Sequence, residues 1–417
     1  MPNLHRVSKA AVVVLTLAAL SAWGQPAAPG RGGGAVRSPE VAADGKVTFR
    51  LRAPNAKDVA VTGIGQRLAM QKDEQGVWTA TTEPLKPDMY SYSFSVDGAT
   101  FNDPANPLFK PAYGSAGQSM VHVPGDVIWE PAANVARGAI TRHFYHSAVA
   151  GDDRDYWVYT PANYDPKRKE PYPVLYLLHG LGDEASGWIE SGAANVILDN
   201  LIAQGKAKPM LMVNTLGYGT SGGTRGAMAS DMIPNFARTV LEEVMPRVEK
   251  AYNATKDRNQ RAIAGLSMGG AEALYTGLNH LDRFAWVGSF SGAFVMWPRG
   301  TAAPAATRGA PAAAPGAVPG RGGAGGGRGG GQSMTPADFE RSFPKLDAKA
   351  NSQIRLLWIA CGVDDGLNTV NRQFKDWLKS KNVQFTDLEI PGFAHVWPLW
   401  RRNLAELAPL LFQAKAK

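Results

Sequence analysis

The amino-acid sequence predicts an α/β domain built on a mainly parallel sheet and preceded by a small all-β, immunoglobulin-like sandwich. Three observations support this prediction. Short strand-like runs separated by turn residues fill positions 40–130, and apolar strands alternate with helical segments from residue 138 onward. Hydrophobic residues make up 44% of the 417 positions, so the chain can bury a substantial core.

The N-terminus has the features of an export signal. Arg6 and Lys9 precede the apolar run 10–22, and small residues follow where a signal peptidase would cleave. About 13 apolar residues are too few to span a bilayer, which takes about 20. We therefore expect residues 1–24 to be a signal peptide and the protein to be secreted or periplasmic, with no membrane attachment after cleavage. Positions 25–39, rich in Pro, Gly and Ala, predict a flexible linker.

The net charge of +8 does not indicate a nucleic-acid partner. Residues 1–39 contain four basic residues and no acid, and residues 299–334 contain four more and no acid, so four plus four accounts for the whole excess. The segments with folding patterns are therefore near neutral. Cys361 is the single cysteine, so no intrachain disulfide can form, and its apolar surroundings predict a buried thiol.

The sandwich prediction for 40–130 is clearest in its longest strand. Tyr90, Tyr92, Phe94 and Val96 alternate with serines, which is the period-two pattern of a half-buried strand. Neighbouring runs of the same kind are short and are separated by turn residues, as in all-β sandwiches.

Parts of this region resemble a known domain. VTFRLRAP at 47–54, Trp78 and the run LKPDMYSYSFSVDGATFNDPANP at 85–107 are similar to the early-set domain called the family 48 carbohydrate-binding module. The resemblance implies either polysaccharide binding through exposed aromatic rings or packing against the following domain. Positions 63–67 lack a tryptophan where a sugar platform is expected, which favours packing.

The second domain is predicted at 138–417. A hairpin at 138–160 opens it, and the five apolar residues at 174–178 predict a strand buried on both faces. Further strands are predicted at 210–214, 262–264, 286–289, 354–360 and 384–390, and helices at 194–204, within 231–252, after residue 267, at 370–379 and from about 400. Residues 299–334 are almost wholly Gly, Ala, Pro and Arg and predict a disordered insertion within this domain.

Ser267 is the predicted nucleophile. It stands in Gly265-Leu266-Ser267-Met268-Gly269, between an apolar strand and a helix-forming segment. A strand, a tight turn and a helix form the context in which a serine hydroxyl is exposed at the tip of a strained turn. This five-residue motif alone is weak evidence in a chain with 46 glycines, so the assignment of Ser267 as nucleophile depends on finding a base and an acid elsewhere in the sequence.

Both partners are found directly after predicted strands. His395 follows the strand at 384–390, and the paired acids Asp364 and Asp365 follow the strand at 354–360. The chain order of serine, acid and histidine is that of an α/β-hydrolase triad. His179 lies where an oxyanion loop belongs, so we expect it to shape that loop. Spacing does not decide between the two aspartates.

Four motifs in order resemble carbohydrate esterase family 1, the feruloyl and acetylxylan esterase group, which is itself similar to esterase D and enterochelin esterases. They are YPVLYLLHGLGDEASGW, RAIAGLSMGG, CGVDDGL and GFAHVWPLW. The resemblance implies an α/β-hydrolase fold, Asp365 as the acid, and backbone amides of Leu181 and Met268 as the oxyanion hole. The chain departs from the family pattern in the 299–334 insertion and in Ala394 before His395.

We therefore expect a secreted serine esterase that removes feruloyl or acetyl groups from xylan or a related polysaccharide, with no cofactor and no metal. A siderophore (enterochelin-type) lactone esterase and an acyltransferase are alternatives, and a non-catalytic glycan-binding protein is a further one. Trp188, Trp297 and Trp397, with Trp400 nearby, either line a substrate pocket or pack in the core, and the sequence leaves both alternatives open.

Overall fold

The computed structural model describes residues 36–221, 231–294, 297 and 334–413. Within it, Arg37–Lys417 form one compact unit. The predicted signal peptide, most of the predicted linker and residues 299–333 of the predicted insertion lie outside the described residues. In the part of the chain that the structure describes, no helix is long and apolar enough to cross a membrane.

The N-terminal part is a β-sandwich of antiparallel strands. One sheet has the order β1-β2-β6-β5, and the other has the order β4-β3-β7-β10-β9, with β8 paired to β7. Alternate residues such as Phe49, Tyr92 and Phe94 are fully buried between the sheets. The strands are β1 (Glu40–Val41), β2 (Val47–Arg52), β3 (Val59–Thr62), β4 (Leu68–Ala69), β5 (Gln71–Lys72), β6 (Val77–Thr81), β7 (Asp88–Val96), β8 (Ala99–Phe101), β9 (Phe109–Lys110) and β10 (Gln118–Val123).

The C-terminal part is an eight-stranded sheet covered by helices. Its order is β11-β12-β14-β13-β15-β16-β17-β18. The first three strands are antiparallel and the remaining pairs are parallel, which confirms the predicted fold class. The strands are β11 (Ala139–Ser147), β12 (Asp152–Thr160), β13 (Val174–Leu178), β14 (Leu211–Thr215), β15 (Arg261–Leu266), β16 (Trp286–Phe290), β17 (Leu356–Gly362) and β18 (Thr386–Ile390).

Helices lie between most of the parallel strands. They are α1 (Gly187–Glu190), α2 (Ala194–Ala203), α3 (Met232–Arg238), α4 (Met245–Ala251), α5 (Met268–Asn279), α6 (Pro336–Ser342), α7 (Asn368–Ser380) and α8 (Trp397–Leu407). A π-helical turn, Thr239–Val244, joins α3 to α4. The terminal helix begins at Trp397 instead of near residue 400, because Pro398 suits the first turn of a helix.

The register of the parallel strands brings their ends to one edge. Leu178 pairs with Gly265, Leu266 with Phe290, and Gly362 with Ile390. Residues that follow β13, β15, β17 and β18 therefore emerge side by side at the carboxyl edge of the sheet, where ligands bind in such folds.

A buried ion pair joins the two parts. Arg401 of α8 is 1% exposed, and its Nη1 lies 2.5 Å from Oδ1 of Asp88 in the sandwich. The same guanidinium donates to the carbonyl oxygens of Ser191 and Met89. Burial lowers the pKa of Arg401 to about 10, which leaves it charged at neutral pH. The sandwich is thus held to the helix that begins two residues after His395.

Candidate active site

Ser267 occupies a sharp turn between β15 and α5. Its φ and ψ angles are 52° and −116°, a conformation that side-chain-bearing residues rarely adopt. The flanking glycines are needed because a Cβ at Gly265 would lie 2.4 Å from the carbonyl oxygen of Gly269, and one at Gly269 would lie 2.5 Å from that of His179. The turn therefore presents the serine hydroxyl at the carboxyl edge of the sheet.

The structure brings Ser267, His395 and Asp365 together. His395 Nε2 lies 2.9 Å from Ser267 Oγ, and His395 Nδ1 lies 2.8 Å from Asp365 Oδ2. Asp364 is exposed, so the geometry separates the two aspartates that the spacing could not. A serine hydroxyl, an imidazole and a carboxylate in this chain of hydrogen bonds can carry out nucleophilic catalysis.

The environment of Asp365 keeps its side chain ionised. Burial alone raises the pKa of this carboxyl, but hydrogen bonds from His395, the Leu367 amide and Ser291 outweigh burial, and the pKa lies below its usual range. The Leu367 amide donates to Asp365 Oδ1 at 2.8 Å. A charged Asp365 can therefore orient His395 and stabilise its protonated form.

Ser291 is a supporting residue that the sequence interpretation missed. It follows β16, is fully buried, and has a φ of 52°. Trp400 donates from its indole nitrogen to Ser291 Oγ at 3.3 Å and places its ring edge-on to His395, with centroids 4.8 Å apart. The only signal in the sequence is a serine directly after a buried strand, which by itself is not specific.

The predicted oxyanion donors lie on two segments that are hydrogen-bonded to each other. We use the name oxyanion loop for residues 180–183, which follow β13 and contain Leu181. The Gly269 amide donates to the carbonyl oxygen of His179, the residue just before this loop, at 3.1 Å and so ties the start of α5 to the beginning of the loop. The Met268 amide is in the first turn of α5, where backbone N–H groups have no acceptor within the helix.

His179 shapes the oxyanion loop. Its Nδ1 is 2.8 Å from the Gly180 carbonyl oxygen, and its Nε2 accepts a hydrogen bond from the Gly217 amide at 2.8 Å. These two partners require a neutral ring with the proton on Nδ1, and burial lowers the pKa of His179, which favours that form. His179 is 1% exposed, so its contribution is to the shape of the loop.

Tyr218 holds the same loop from the other side. The Gly182 amide donates to its hydroxyl oxygen at 2.7 Å, and the hydroxyl lies 3.3 Å from the Asp183 carbonyl oxygen. The ring is fully buried, and burial raises the pKa of Tyr218, so the hydroxyl stays protonated. Gly182 has a φ of 88°, a conformation that glycine adopts without strain.

Two of the candidate pocket tryptophans pack in the core. Trp188 is fully buried, and its indole nitrogen donates to the Leu178 carbonyl oxygen at 2.7 Å. Trp297 is 2% exposed and lies among Phe294, Phe339, Phe343 and Phe374. Of the two alternatives that the sequence left open for Trp188 and Trp297, substrate pocket or core, their burial therefore favours the core.

Trp397 lies closer to the reacting residues. It is 9% exposed and packs edge-on between Trp188 and Trp400, with ring centroids 5.2 and 5.4 Å away. The ammonium of Lys110, from the sandwich, is 6.0 Å from its ring centroid. Contact between Trp397 and substrate stays a prediction.

One buried acid lies behind the site. Glu272 of α5 is fully buried, and neither carboxylate oxygen has a hydrogen-bond partner among the described residues. Burial raises its pKa well above the usual range, although Arg154 opposes this effect. The raised pKa favours the neutral acid, which makes Glu272 a poor candidate for a catalytic base. Among the described residues, no group of His, Cys, Asp and Glu side chains is arranged to hold a metal ion.

A cleft of about 540 Å³ opens beside the oxyanion loop. Tyr113 of the sandwich, Phe144 of β11 and Glu184 all line it. Phe144 is 72% exposed, with the Arg142 guanidinium 4.7 Å from its ring centroid. Burial, with nearby carboxylates, raises the pKa of Glu184. The cleft thus combines aromatic rings with hydrogen-bonding groups of both charges.

Comparisons with known proteins match both parts of the chain. The Esterase family model matches residues 147–410, and the model of carbohydrate-binding module 48 (isoamylase N-terminal domain) matches residues 34–113. An endo-1,4-beta-xylanase/feruloyl esterase of Xylanibacter ruminicola is 29% identical over 386 residues, which are 90% of this chain and 46% of that protein. The chain therefore spans less than half the length of that relative.

Other relatives match at lower identity. An acetyl esterase of Caldicellulosiruptor saccharolyticus is 25% identical over 57% of this chain and 82% of its own length. Among solved structures, the enterobactin esterase of Shigella flexneri has a TM-score of 0.60 at 20% identity, covering 87% of this chain and 92% of that one. A ferulic acid esterase of Anaeromyces mucronatus, in complex with ferulic acid, has a TM-score of 0.53 at 22% identity, covering 69% of this chain and 96% of that one. Both structures show the shared fold.

Proposed function

The chain belongs to the Esterase family of carboxylic ester hydrolases, and from that premise we propose that it removes feruloyl or acetyl groups from xylan or a related polysaccharide through an acyl-enzyme on Ser267. The single observation that carries the mechanism is the continuous hydrogen-bond chain from Ser267 through His395 to Asp365. The names of the curated relatives, a xylanase/feruloyl esterase and an acetyl esterase, support the substrate class.

The hydrogen-bond chain supports the following reaction. His395 Nε2 accepts the proton of Ser267 Oγ as that oxygen attacks the ester carbonyl, and the tetrahedral oxyanion is held by the amides of Leu181 and Met268. The protonated His395 then donates to the leaving alcohol, which leaves an acyl group on Ser267. Water attacks this acyl-enzyme with His395 again as base, which releases the acid and restores the serine.

The cleft beside the oxyanion loop supports a carbohydrate as the group carrying the ester. Phe144 and Tyr113 offer aromatic rings on which sugars can stack, and Glu184 offers a carboxylate that accepts hydrogen bonds from hydroxyl groups. Its charged lining residues include Arg142 and Arg154 as well as Asp153, Asp155 and Glu184, so opposite charges nearly balance. A near-neutral, partly aromatic cleft suits an uncharged polyhydroxylated chain.

A substrate panel tests this proposal. The purified protein is assayed on methyl ferulate, a feruloylated xylan oligosaccharide, acetylated xylan, p-nitrophenyl acetate and a catecholate trilactone, with Ser267→Ala as the inactive control. We expect the oligosaccharide or the acetylated xylan to give the highest kcat/KM. A preference for the trilactone would replace the polysaccharide assignment by the siderophore alternative, and transfer of the acyl group to added sugar in place of water would indicate an acyltransferase.

We also propose export, on the basis of the charged and apolar N-terminal sequence. Expression with the full N-terminus followed by N-terminal sequencing of the mature protein tests it. The expected mature chain begins close to Gln25, and an intact Met1 in the cell-free or periplasmic fraction would contradict cleavage.

A further inference from the structure

One segment of the sandwich lies directly against the oxyanion loop. The Tyr113 amide, in the connection between β9 and β10, donates to the Gly182 carbonyl oxygen at 3.0 Å. Lys110, at the end of β9, places its ammonium 2.7 Å from Asp183 Oδ1. Two consecutive residues of the loop are therefore held by a different domain, one through its backbone and the other through its side chain.

The same segment reaches the loop a second time through Tyr218. The Tyr113 ring stacks on the Tyr218 ring, with centroids 4.8 Å apart and planes inclined by 18°. The Tyr218 hydroxyl in turn accepts the Gly182 amide. The C=O of Gly182 thus accepts a hydrogen bond from Tyr113, and its N–H donates to Tyr218, on which the Tyr113 ring stacks. Gly182 follows directly after the predicted oxyanion donor Leu181.

Lys110 also faces the histidine side of the site. Its ammonium lies 2.7 Å from Asp183 Oδ1 and 6.0 Å from the centroid of the Trp397 ring, and Trp397 is two residues after His395. The Lys110 and Asp183 side chains are 15% and 6% exposed, so solvent screens this pair only weakly. Asp183 would be a buried, unpaired carboxylate without Lys110, which the loop could avoid only by moving.

We propose that the sandwich domain positions the oxyanion loop, with Lys110 and Tyr113 as positioning residues for ester hydrolysis. This inference rests on the proposed acyl-enzyme mechanism and on Leu181 as a donor. The loop contains Gly180 and Gly182, whose backbones are permissive, so the loop needs external contacts to hold the Leu181 amide in place. Loss of one oxyanion donor typically costs about 10²–10³ in kcat, and a shift of about 1 Å can cost about 10².

The test compares Lys110→Met with Lys110→Arg and with Lys46→Met, using p-nitrophenyl acetate as a small substrate. Lys46 is a matched control because it is also a sandwich lysine paired to an aspartate, Asp44, but on an exposed surface. We expect Lys110→Met to lower kcat at least about tenfold with KM changed less than about threefold. Lys110→Arg should retain most of kcat, and Lys46→Met should match the unmodified protein.

A second readout reports on the oxyanion site itself. An arylboronic acid forms a tetrahedral adduct with the serine and places an oxygen in the oxyanion hole, so its inhibition constant should rise in Lys110→Met by a factor similar to the loss of kcat. Asp183→Asn serves if Lys110→Met does not fold, because it removes the ion pair and leaves its more exposed member, the Lys110 ammonium, as the remaining charge, to which the new amide oxygen can still accept a hydrogen bond. We expect Asp183→Asn to show the same selective loss of kcat.

The outcomes separate this inference from the proposed function. If Ser267→Ala keeps the activity of the unmodified protein, the mechanism itself fails. If Ser267→Ala is inactive while Lys110→Met and Asp183→Asn behave like Lys46→Met in kcat and in boronic acid inhibition, the mechanism stands and the positioning role is refuted. A rise in KM alone would likewise refute positioning, since it would indicate contact with substrate.

Discussion

Replacement of Arg401 by Met should destabilise the protein by about 3–5 kcal/mol at pH 7, because it leaves the Asp88 carboxylate buried without its partner. The Arg401 and Asp88 side chains are buried, at 1% and 8% exposure, so water cannot solvate the Asp88 carboxylate in place of the lost guanidinium. The hydrogen bonds to the carbonyl oxygens of Ser191 and Met89 are lost as well, each worth about 1 kcal/mol. Methionine keeps most of the apolar volume, so the loss reports on the charge pair.

Urea unfolding followed by tryptophan fluorescence measures this change in the free energy of unfolding. Burial raises the pKa of Asp88, so the protonated, neutral carboxyl is the form that burial favours. Arg401→Met should therefore lose stability as the pH rises through the pKa of Asp88 in the folded state, where the carboxyl becomes charged. The deficit of Arg401→Met should therefore be smaller at pH 4–5 than at pH 7. The double variant Asp88→Asn/Arg401→Met should recover most of the loss. A deficit below about 1 kcal/mol at pH 7 would refute the view that this pair holds the sandwich to α8.

Three further predictions follow from the site. Asp365→Asn should lower kcat by about 10⁴ without unfolding the protein, because the amide favours the His395 tautomer that cannot accept the Ser267 proton at Nε2. Steady-state assays on p-nitrophenyl acetate measure this loss, and a loss of less than tenfold would contradict the assignment of Asp365 as the orienting acid. Glu272→Gln should become more stabilising as the pH rises above the usual glutamate range, because the folded protein holds a proton on Glu272 that the unfolded chain releases, and the slope is at most about 1.4 kcal/mol per pH unit; equal slopes of stability against pH in both proteins would argue against a buried neutral acid. Trp188→Ala should cost about 3–5 kcal/mol of stability while the ratio of activities on methyl ferulate and p-nitrophenyl acetate stays unchanged; a changed ratio with normal stability would restore a pocket role for Trp188.

The sequence predicted the parts of the site that follow from strand order. Ser267, Asp365 and His395 follow the parallel strands β15, β17 and β18, and the ends of parallel strands meet at one edge, so their proximity could be expected. The strand at 174–178 was predicted with the bounds it has in the structure because its apolar run is continuous. The start of α8 was placed too late, since Pro398 was not recognised as a first-turn residue.

The supporting contacts were not predictable, for physical reasons. Lys110 and Tyr113 act across a domain boundary, and no local pattern marks a lysine or a tyrosine that will meet a distant loop. Two alternatives for Trp188 stayed open because α1, a helix of four residues, is too short for a helical period to show which side its tryptophan faces. The structure places Trp188 inward, and its indole N–H donates to the Leu178 carbonyl oxygen. Asp364 and Asp365 differ by one position, and spacing does not show which one turns inward; the resemblance implied Asp365, and the path of the chain after β17 buries Asp365 and exposes Asp364.

The central claim, that Ser267 is the residue acylated during turnover, is tested most directly by covalent trapping. The unmodified protein and Ser267→Ala are treated with diethyl p-nitrophenyl phosphate, and the site of modification is located by mass spectrometry of the digested protein. We predict one diethylphosphoryl group per chain, on the peptide that contains Ser267, with simultaneous loss of esterase activity and no modification of Ser267→Ala. Stoichiometric labelling of another residue, or unchanged labelling and activity in Ser267→Ala, would contradict the account.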